Sequence, residues 1–373
     1  MNNVMGLIYT GEKDEQLHEM TSTRAVAAVP FAGRYRMIDF PLSNMVESGI
    51  RNVGVIMQRN YNSLMDHLGS GREWDLHGKR SGLVLLPPFM TRDNVGVYAG
   101  FLDAIKSNLH FLRRSKERYI VVTDSHIIYS APFDEMVIRH EQSGADTTLL
   151  YSRYPGVRRN GEGRYIRMDE TGRVTDMEID PTIPHYENTY IDAFCMRREL
   201  LIDLVDRAVA HGQSHLTRDV LLGGIYDKSL VVRGYECPGK VWKIDSVSAY
   251  FDCSMALLDA DTRNQLFNPA RPVRTKLRDE MPTRHLSGSN VKNSLIADGC
   301  VIDGTVENSI LFRGVRIEKN AHVKNSIIMQ DSVVGANAEL DYCILDKQVT
   351  IREGSRIIGP KSYPIVMAKN LIV

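Results

Sequence analysis

The chain has 373 residues, 43% of them apolar and 25% charged, which is ample material for two globular domains. Its 46 basic and 46 acidic side chains cancel, arguing against a general nucleic-acid or membrane-surface binder and leaving at most a local basic patch. The five cysteines Cys195, Cys237, Cys253, Cys300 and Cys343 show no metal-ligand spacing and read as reduced, buried thiols of a cytoplasmic protein. Residues 1–10 lack the basic flank and small-residue cleavage site of a signal, and no run reaches the length of a membrane span.

In chain order, the apolar run 4–9 predicts a first strand, followed by Thr10-Gly11-Glu12-Lys13-Asp14-Glu15. Residues 42–49 have helical spacing, 52–57 read as a strand and 61–68 as a helix; this alternation predicts an α/β sheet covered on both faces. A strand over 83–86, one helix over 97–112, a strand over 119–122, a helix over 133–140 and a strand over 147–151 follow. Residues 165–178 read as a hairpin around Glu170-Thr171-Gly172. A helix over 200–210, a strand over 231–236 and a helix over 247–259 complete this part. Residues 264–286, with Pro269, Pro272 and Pro282, predict a linker.

The last quarter repeats itself. Asn293-Ser294-Leu295-Ile296 recurs as Asn308-Ser309-Ile310-Leu311, Asn325-Ser326-Ile327-Ile328 and Tyr342-Cys343-Ile344-Leu345, at spacings of 15, 17 and 17 residues. Within that period apolar residues fall six apart, as in Leu311, Ile317 and Val323 or Ile328, Val334 and Leu340. An apolar beat of about six is the pattern of a parallel β-helix, in which three short strands close one triangular coil. Such a solenoid leaves coil edges to be covered, which predicts docking onto the rest of the chain and onto other subunits.

The stretch Ala28-Val29-Pro30-Phe31-Ala32-Gly33-Arg34-Tyr35-Arg36-Met37-Ile38-Asp39-Phe40-Pro41-Leu42-Ser43-Asn44, with Ser48-Gly49-Ile50-Arg51, closely resembles the ADP-glucose pyrophosphorylases (glucose-1-phosphate adenylyltransferases). The resemblance continues through Val53-Gly54-Val55-Ile56-Met57-Gln58, through Tyr98 to Ala104, and into the β-helix. It implies an α/β fold: a Rossmann-like nucleotidyltransferase domain of the glycosyltransferase-A-like type over 1–263, a linker over 264–286, and a left-handed parallel β-helix over 287–373. The family joins the α-phosphate of ATP to glucose 1-phosphate and releases pyrophosphate. That reaction needs a glycine-rich phosphate loop, cations on the transferring group, and carboxylates holding Mg²⁺.

Those parts are degraded. The family's Gly-Gly-x-Gly-Thr-Arg-Leu loop is Thr10-Gly11-Glu12-Lys13-Asp14-Glu15-Gln16-Leu17, with carboxylates where a triphosphate would lie. Val26 replaces a family lysine, His126 and Ile244 fall at the two metal aspartates, and Asp180 replaces the sugar-phosphate lysine. Gln58, Tyr98, Gly100 and Asp103 match positions around the nucleotide, while Ala99 replaces an arginine. The pattern is similar to the GlgD type, the non-catalytic companions within the family.

The resemblance therefore implies a regulatory subunit without catalytic residues, metal or cofactor. It would assemble with a catalytic subunit into a heterotetramer, or with itself when alone, and would have no nucleic-acid or membrane partner. Arg24, Arg34 and Arg36 cluster around Pro30; Arg24 and Arg36 match effector positions, so a phosphorylated sugar effector is expected there, against the plainer reading of surface ion pairs. Rival readings are an active adenylyltransferase using Asp124 and Asp245 as displaced Mg²⁺ ligands, and a sugar-phosphate or nucleotide sensor. His126 as a lone histidine reads as structural, and His211 and His215 straddle Gly212, which disfavours zinc.

Overall fold

The computed structural model describes residues 1, 3–11, 14–78, 81–88, 98, 100–153 and 163–373. The strands run β1 (Val4–Tyr9), β2 (Pro30–Phe31), β3 (Tyr35–Arg36), β4 (Asn52–Ile56), β5 (Leu83–Leu86), β6 (Tyr119–Asp124), β7 (Ile127–Ile128), β8 (Thr147–Ser152), β9 (Arg164–Met168), β10 (Val174–Ile179), β11 (Asn188–Arg197), β12 (Val232–Glu236) and β13 (Trp242–Lys243). Helices α1 (Asp39–Glu47) and α2 (Asn62–Leu68) follow β3 and β4, and fifteen short strands, from Arg284–His285 to Ile365–Met367, form the C-terminal repeats. Contacts divide the chain into two compact units. The first is Met1–Glu12, Ile38–Lys243 and Asn268–Arg274; the second is Lys13–Met37, Ile244–Phe267 and Thr275–Val373. The units thus cut the chain differently from a linear division at 264–286.

The first unit is built on a mixed sheet. β1 lies between β4 and β6, parallel to both, and β5 extends the parallel part. β1 is apolar throughout and buried at every position, as a parallel strand covered on both faces requires. Gly54 in β4 admits no side chain, since a Cβ there would lie 2.5 Å from Phe111. β11 runs antiparallel and changes partner along its length: Asn188–Tyr190 pair with β9, and Ala193–Arg197 with β6. Against β8 its register shifts between Tyr190 and Phe194. The expected single helix over 97–112 is instead α3 (Phe101–Ser107) and α4 (Leu109–Arg114), and Val97 lies outside the described residues. Asn108 makes the break: its Nδ2 donates to the Ala104 carbonyl at 2.8 Å and to the Tyr98 hydroxyl at 3.3 Å, so its side chain competes with the helix backbone.

Helix α5 (Phe133–Ser143) buries Phe133, Met136, Val137 and His140, one helical face, and ends at Gly144 with φ 64°. His140 is pushed down to about 4 by burial and then by Arg197, against Asp146. The unfolded chain, with an ordinary imidazole near about 6.5, takes up this proton first. The contribution of neutral His140 is therefore complete above about pH 6.5 and fades as pH falls toward 4, which urea melts across that range will read.

In the second unit the repeats form three five-stranded parallel sheets, a left-handed β-helix. The registers stack Ile296, Leu311, Ile328 and Leu345 on one wall, Ile302, Ile317, Val334 and Ile351 on the next, and Val306, Val323, Leu340 and Ile357 on the third. All of these except Val306 are residues of the six-residue beat. The four-residue phrase has a local cause. Asn293, Asn308, Asn325 and Tyr342 sit at corners with φ of 42°, 46°, 45° and 50°, a region asparagine tolerates best after glycine. The following serine accepts from the next coil: Ser309 N–H donates to Ser294 Oγ at 3.1 Å, and Ser326 N–H to Ser309 Oγ at 3.1 Å. The first strand of the solenoid, Arg284–His285, lies inside the stretch 264–286 expected as linker, and helix Ala260–Leu266 runs into that stretch.

All five cysteines are free and buried. Burial pushes the thiols up, Cys237 to about 12 and Cys300 and Cys343 to about 11. The folded chain should therefore be silent toward a thiol-disulfide reagent over minutes at pH 8, and titrate all five on unfolding. Among the described residues no helix is long and apolar enough to cross a membrane.

Candidate functional site

The carboxyl ends of β1, β4 and β6 open into a cavity of about 330 Å³ within the first unit, the usual ligand position in an open α/β sheet. Register places Tyr9 opposite both Ile56 and Asp124. Gln58, just beyond β4, accepts from the Tyr9 hydroxyl at 3.2 Å and donates to the Tyr98 carbonyl at 2.9 Å. Gly11 is required by this approach, since a Cβ there would lie 2.1 Å from Gln58 Oε1.

The floor is a chain of ionisable groups. Asp124 ends β6, and its Oδ1 accepts from the His126 ring Nδ1 at 2.6 Å and from the backbone N–H groups of Ser125 and His126. His126 is fully buried, and its Nε2 lies 3.8 Å from Asp192 Oδ2 without a hydrogen-bond partner among the described residues. Asp192 stands where β11 changes partner, at φ 52°, and its Oδ1 accepts from Arg164 on β9. A register shift that re-aims one side chain is a recurrent device beside functional sites. Asp180, at φ 48° after β10, accepts from the Gly163 N–H at 2.9 Å and lines the same cavity.

Of the residues singled out from sequence, Gly11, Gln58, Tyr98, Gly100, Asp124, Asp180 and His215 line this cavity, and His126 is buried behind it. Asp103 stands on α3 outside the lining. Ala99 and Glu12 lie outside the described residues. Val26 is buried in a short turn, and Ile244 is buried at the start of the segment Ile244–Phe267; both belong to the second unit, as does Asp245. Sequence reasoning missed Asp192 and Arg164. The one signal was Asp192 interrupting the apolar run Tyr190-Ile191-Asp192-Ala193-Phe194.

The rival reading of an active adenylyltransferase would hold Mg²⁺ at Asp124, at the end of β6. The donors present there do not fit it: Asp124 Oδ1 is taken by His126 and two backbone N–H groups, and Asp192 is paired with Arg164. Among the described residues no three His, Cys, Asp or Glu side chains are grouped to hold a metal.

A second cluster lies in the second unit. Arg24 is buried and bidentate to Asp346, at 2.8 and 2.9 Å. Lys347 is pushed down to about 7 by burial and then by Arg36 and Arg24, against Asp346. Arg313 is buried, with Nε and Nη2 lacking partners among the described residues, and its neighbours include Arg34 and Arg278. Of the three arginines expected to bind an effector, Arg24 is thus committed to an internal carboxylate, while Arg34 is exposed and Arg36 half-buried.

This fold and these sites define a nucleotidyl-transferase module carried with a hexapeptide-repeat solenoid. Residues 5–216 match the nucleotidyl transferase family, and residues 280–361 the GlmU-like C-terminal hexapeptide family. The chain is 35% identical to the glycogen biosynthesis protein GlgD of Bacillus subtilis (strain 168), over 100% of this chain and 97% of that protein. It is 38% identical to GlgD of Geobacillus stearothermophilus, covering 86% and 83%, and 35% identical to the glucose-1-phosphate adenylyltransferase of Thermomicrobium roseum, covering 94% and 82%. The chain belongs to the family of GlgD proteins and glucose-1-phosphate adenylyltransferases.

Proposed function

We propose that the chain is the regulatory, GlgD-type subunit of ADP-glucose pyrophosphorylase in glycogen biosynthesis. It assembles in the cytoplasm with the catalytic paralogue, in a heterotetramer, and raises that paralogue's activity without turning over substrate. One observation carries the reading: at the end of β6 the carboxylates face internal cations and donors, with Asp124 on His126 and Asp192 on Arg164. Nucleotidyl transfer needs carboxylates free to bridge a metal between attacking and leaving oxygens. The GlgD relatives, named as glycogen biosynthesis proteins and matched over most of their length, support the place in glycogen biosynthesis. If the chain raises its partner's affinity for a substrate, that substrate tightens the assembly by the same factor.

The test is ADP-glucose synthesis by the purified chain alone, by a catalytic paralogue alone, and by the mixture. The expected result is no synthesis by this chain and a higher rate, with a larger particle, in the mixture. Robust synthesis by the chain alone would overturn the proposal in favour of an active enzyme, and Asp124 and Asp245 would be the first residues to replace.

The effector is a phosphorylated sugar held by Arg34 and Arg36 together with Lys347. A bound phosphate favours charged Lys347, so binding takes up a proton and weakens as pH rises through about 7. Calorimetry with fructose 1,6-bisphosphate at pH 6.5 and 8.5, in buffers of different ionisation heat, should show tighter binding and less proton uptake at the lower pH. Equal affinity at both would remove Lys347 from the site.

A further inference from the structure

We propose that residues 268–274 form an electrostatic latch, a strap that two arginines close onto α1 and α5 and that opens as ionic strength rises. The strap groups with the first unit, yet the chain on both sides of it, Ile244–Phe267 and Thr275–Val373, groups with the second. Closed, it holds this connector on the first unit. Open, it frees a connector of about 25 Å when extended. The latch is read in this chain alone; its effect on a catalytic partner rests on the function proposed above.

The strap has no core of its own. Asn268, Pro269, Ala270 and Pro272 are exposed, and Arg271, Val273 and Arg274 are half-buried. Among the described residues, its hydrogen bonds to the rest of the chain all involve the two arginines. Arg271 Nη2 donates to Asp134 Oδ1 at 2.7 Å and Nη1 to Ser48 Oγ at 3.3 Å. Arg274 Nε donates to Glu47 Oε1 at 2.9 Å, and its backbone N–H to Ser43 Oγ at 2.9 Å. Ser43 and Glu47 lie on α1, Ser48 follows it, and Asp134 stands in the first turn of α5. A turn shapes the strap from within: the Asn268 side chain accepts from the Ala270 N–H at 2.9 Å, and its carbonyl from the Arg271 N–H at 3.0 Å. Pro269 and Pro272 fix φ, so closing orders little.

Such an anchorage is reversible. Burial opposes an ionised Asp134, but the hydrogen bond and charge of Arg271 outweigh it and hold the carboxyl below its usual range. Both pairs still meet solvent: the side chains of Arg271 and Asp134 are 25% and 37% exposed, those of Arg274 and Glu47 37% and 17%. Ion pairs of this kind are weak and screened by salt, and two of them favour closure by about twofold to thirtyfold. Opening strands no carboxylate at Asp134, because the N-terminal turn of α5 still favours a negative charge there. A strap attached by buried apolar side chains would respond to salt in neither way.

Hydrogen exchange of the full-length chain at about 20 and 500 mM NaCl tests the latch. The expected result is exchange several-fold faster at the higher salt for the Arg274 amide, with α1 and α5 unchanged. Arg271→Gln with Arg274→Gln should exchange fast at both salts. Arg271→Lys with Arg274→Lys keeps the charges without the planar fork and should restore part of the salt dependence. Strap exchange that ignores salt, stays slow in the Gln variant, or rises only together with α1 and α5 would overturn the latch. Mixed with the catalytic paralogue at low salt, the Gln variant should assemble but activate at least twofold less than the parent, and the parent at high salt should fall to the same level. Equal activation by parent and Gln variant at low salt would overturn the coupling. A parent that never activates the paralogue would instead overturn the function proposed above, and the exchange result would stand by itself.

Discussion

Asp346→Ala is expected to lower the unfolding free energy of the solenoid-bearing unit by about 3–5 kcal/mol, the usual cost of breaking a buried ion pair from one side. Arg24 and Asp346 are both buried, and their two hydrogen bonds are parallel and short, at 2.8 and 2.9 Å. The pair joins the segment Lys13–Met37 to the repeats within one unit, across 322 residues of sequence. Removing the carboxylate leaves the Arg24 guanidinium buried beside Lys347 without the group it pairs with. It also deletes a group that favours charged Lys347. Lys347 should then lose its proton at lower pH still. Because the unfolded chain binds more protons than the folded one between the folded and unfolded pKa values, stability rises with pH across that interval, and the variant should recover part of its loss on the alkaline side. Urea melts at pH 6.5 and 9 measure both effects. The paired replacement Arg24→Met with Asp346→Leu should cost less than Asp346→Ala alone; a single variant within about 1 kcal/mol of the parent would mean that the pair is solvated, the value typical of exposed pairs.

Ile328→Ala is the second large effect, about 2–5 kcal/mol for a large-to-small change in a filled core. Ile328 is fully buried, and the register sets it between Leu311 and Leu345 in the stacked column. A solenoid passes stability only between neighbouring coils, so the loss should be local. Hydrogen exchange should speed at the amides of Phe312 and Met329, which donate across coils to the carbonyls of Ile328 and Leu345, while β1 and β6 in the other unit keep their protection. Exchange that rises evenly through the whole chain would show that the two units unfold as one.

How much was legible follows from how far apart the interacting residues lie. The β-helix was readable because its period is local: each corner asparagine, each stacking serine and each inward apolar residue repeats after one coil, so the pattern along the chain is the pattern in space. Its start was misplaced because Arg284–His285 is a strand only through pairing with Val301–Ile302, a partner that no feature of residues 284 and 285 announces. The break between α3 and α4 was missed for a similar reason, since Asn108 ends the helix by reaching Ala104 and Tyr98 and leaves the apolar spacing intact.

The candidate site divides in the same way. The sequence by itself determined the alternating α/β pattern, the solenoid and the family, because each is written in neighbouring residues. Only the tertiary structure decided what the altered residues do. His126 reads as a lone histidine until β6 ends with Asp124 curled onto its ring, and Asp192 reads as an interruption of an apolar strand until β11 changes partner beneath the cavity. Arg164 meets Asp192 only because β9 and β11 pair, and Arg24 meets Asp346 across nearly the whole chain. Charges separated by tens or hundreds of residues leave no periodic trace. Their pairing is set by which backbone segments the sheet and the coils bring side by side, and that is a property of the folded chain.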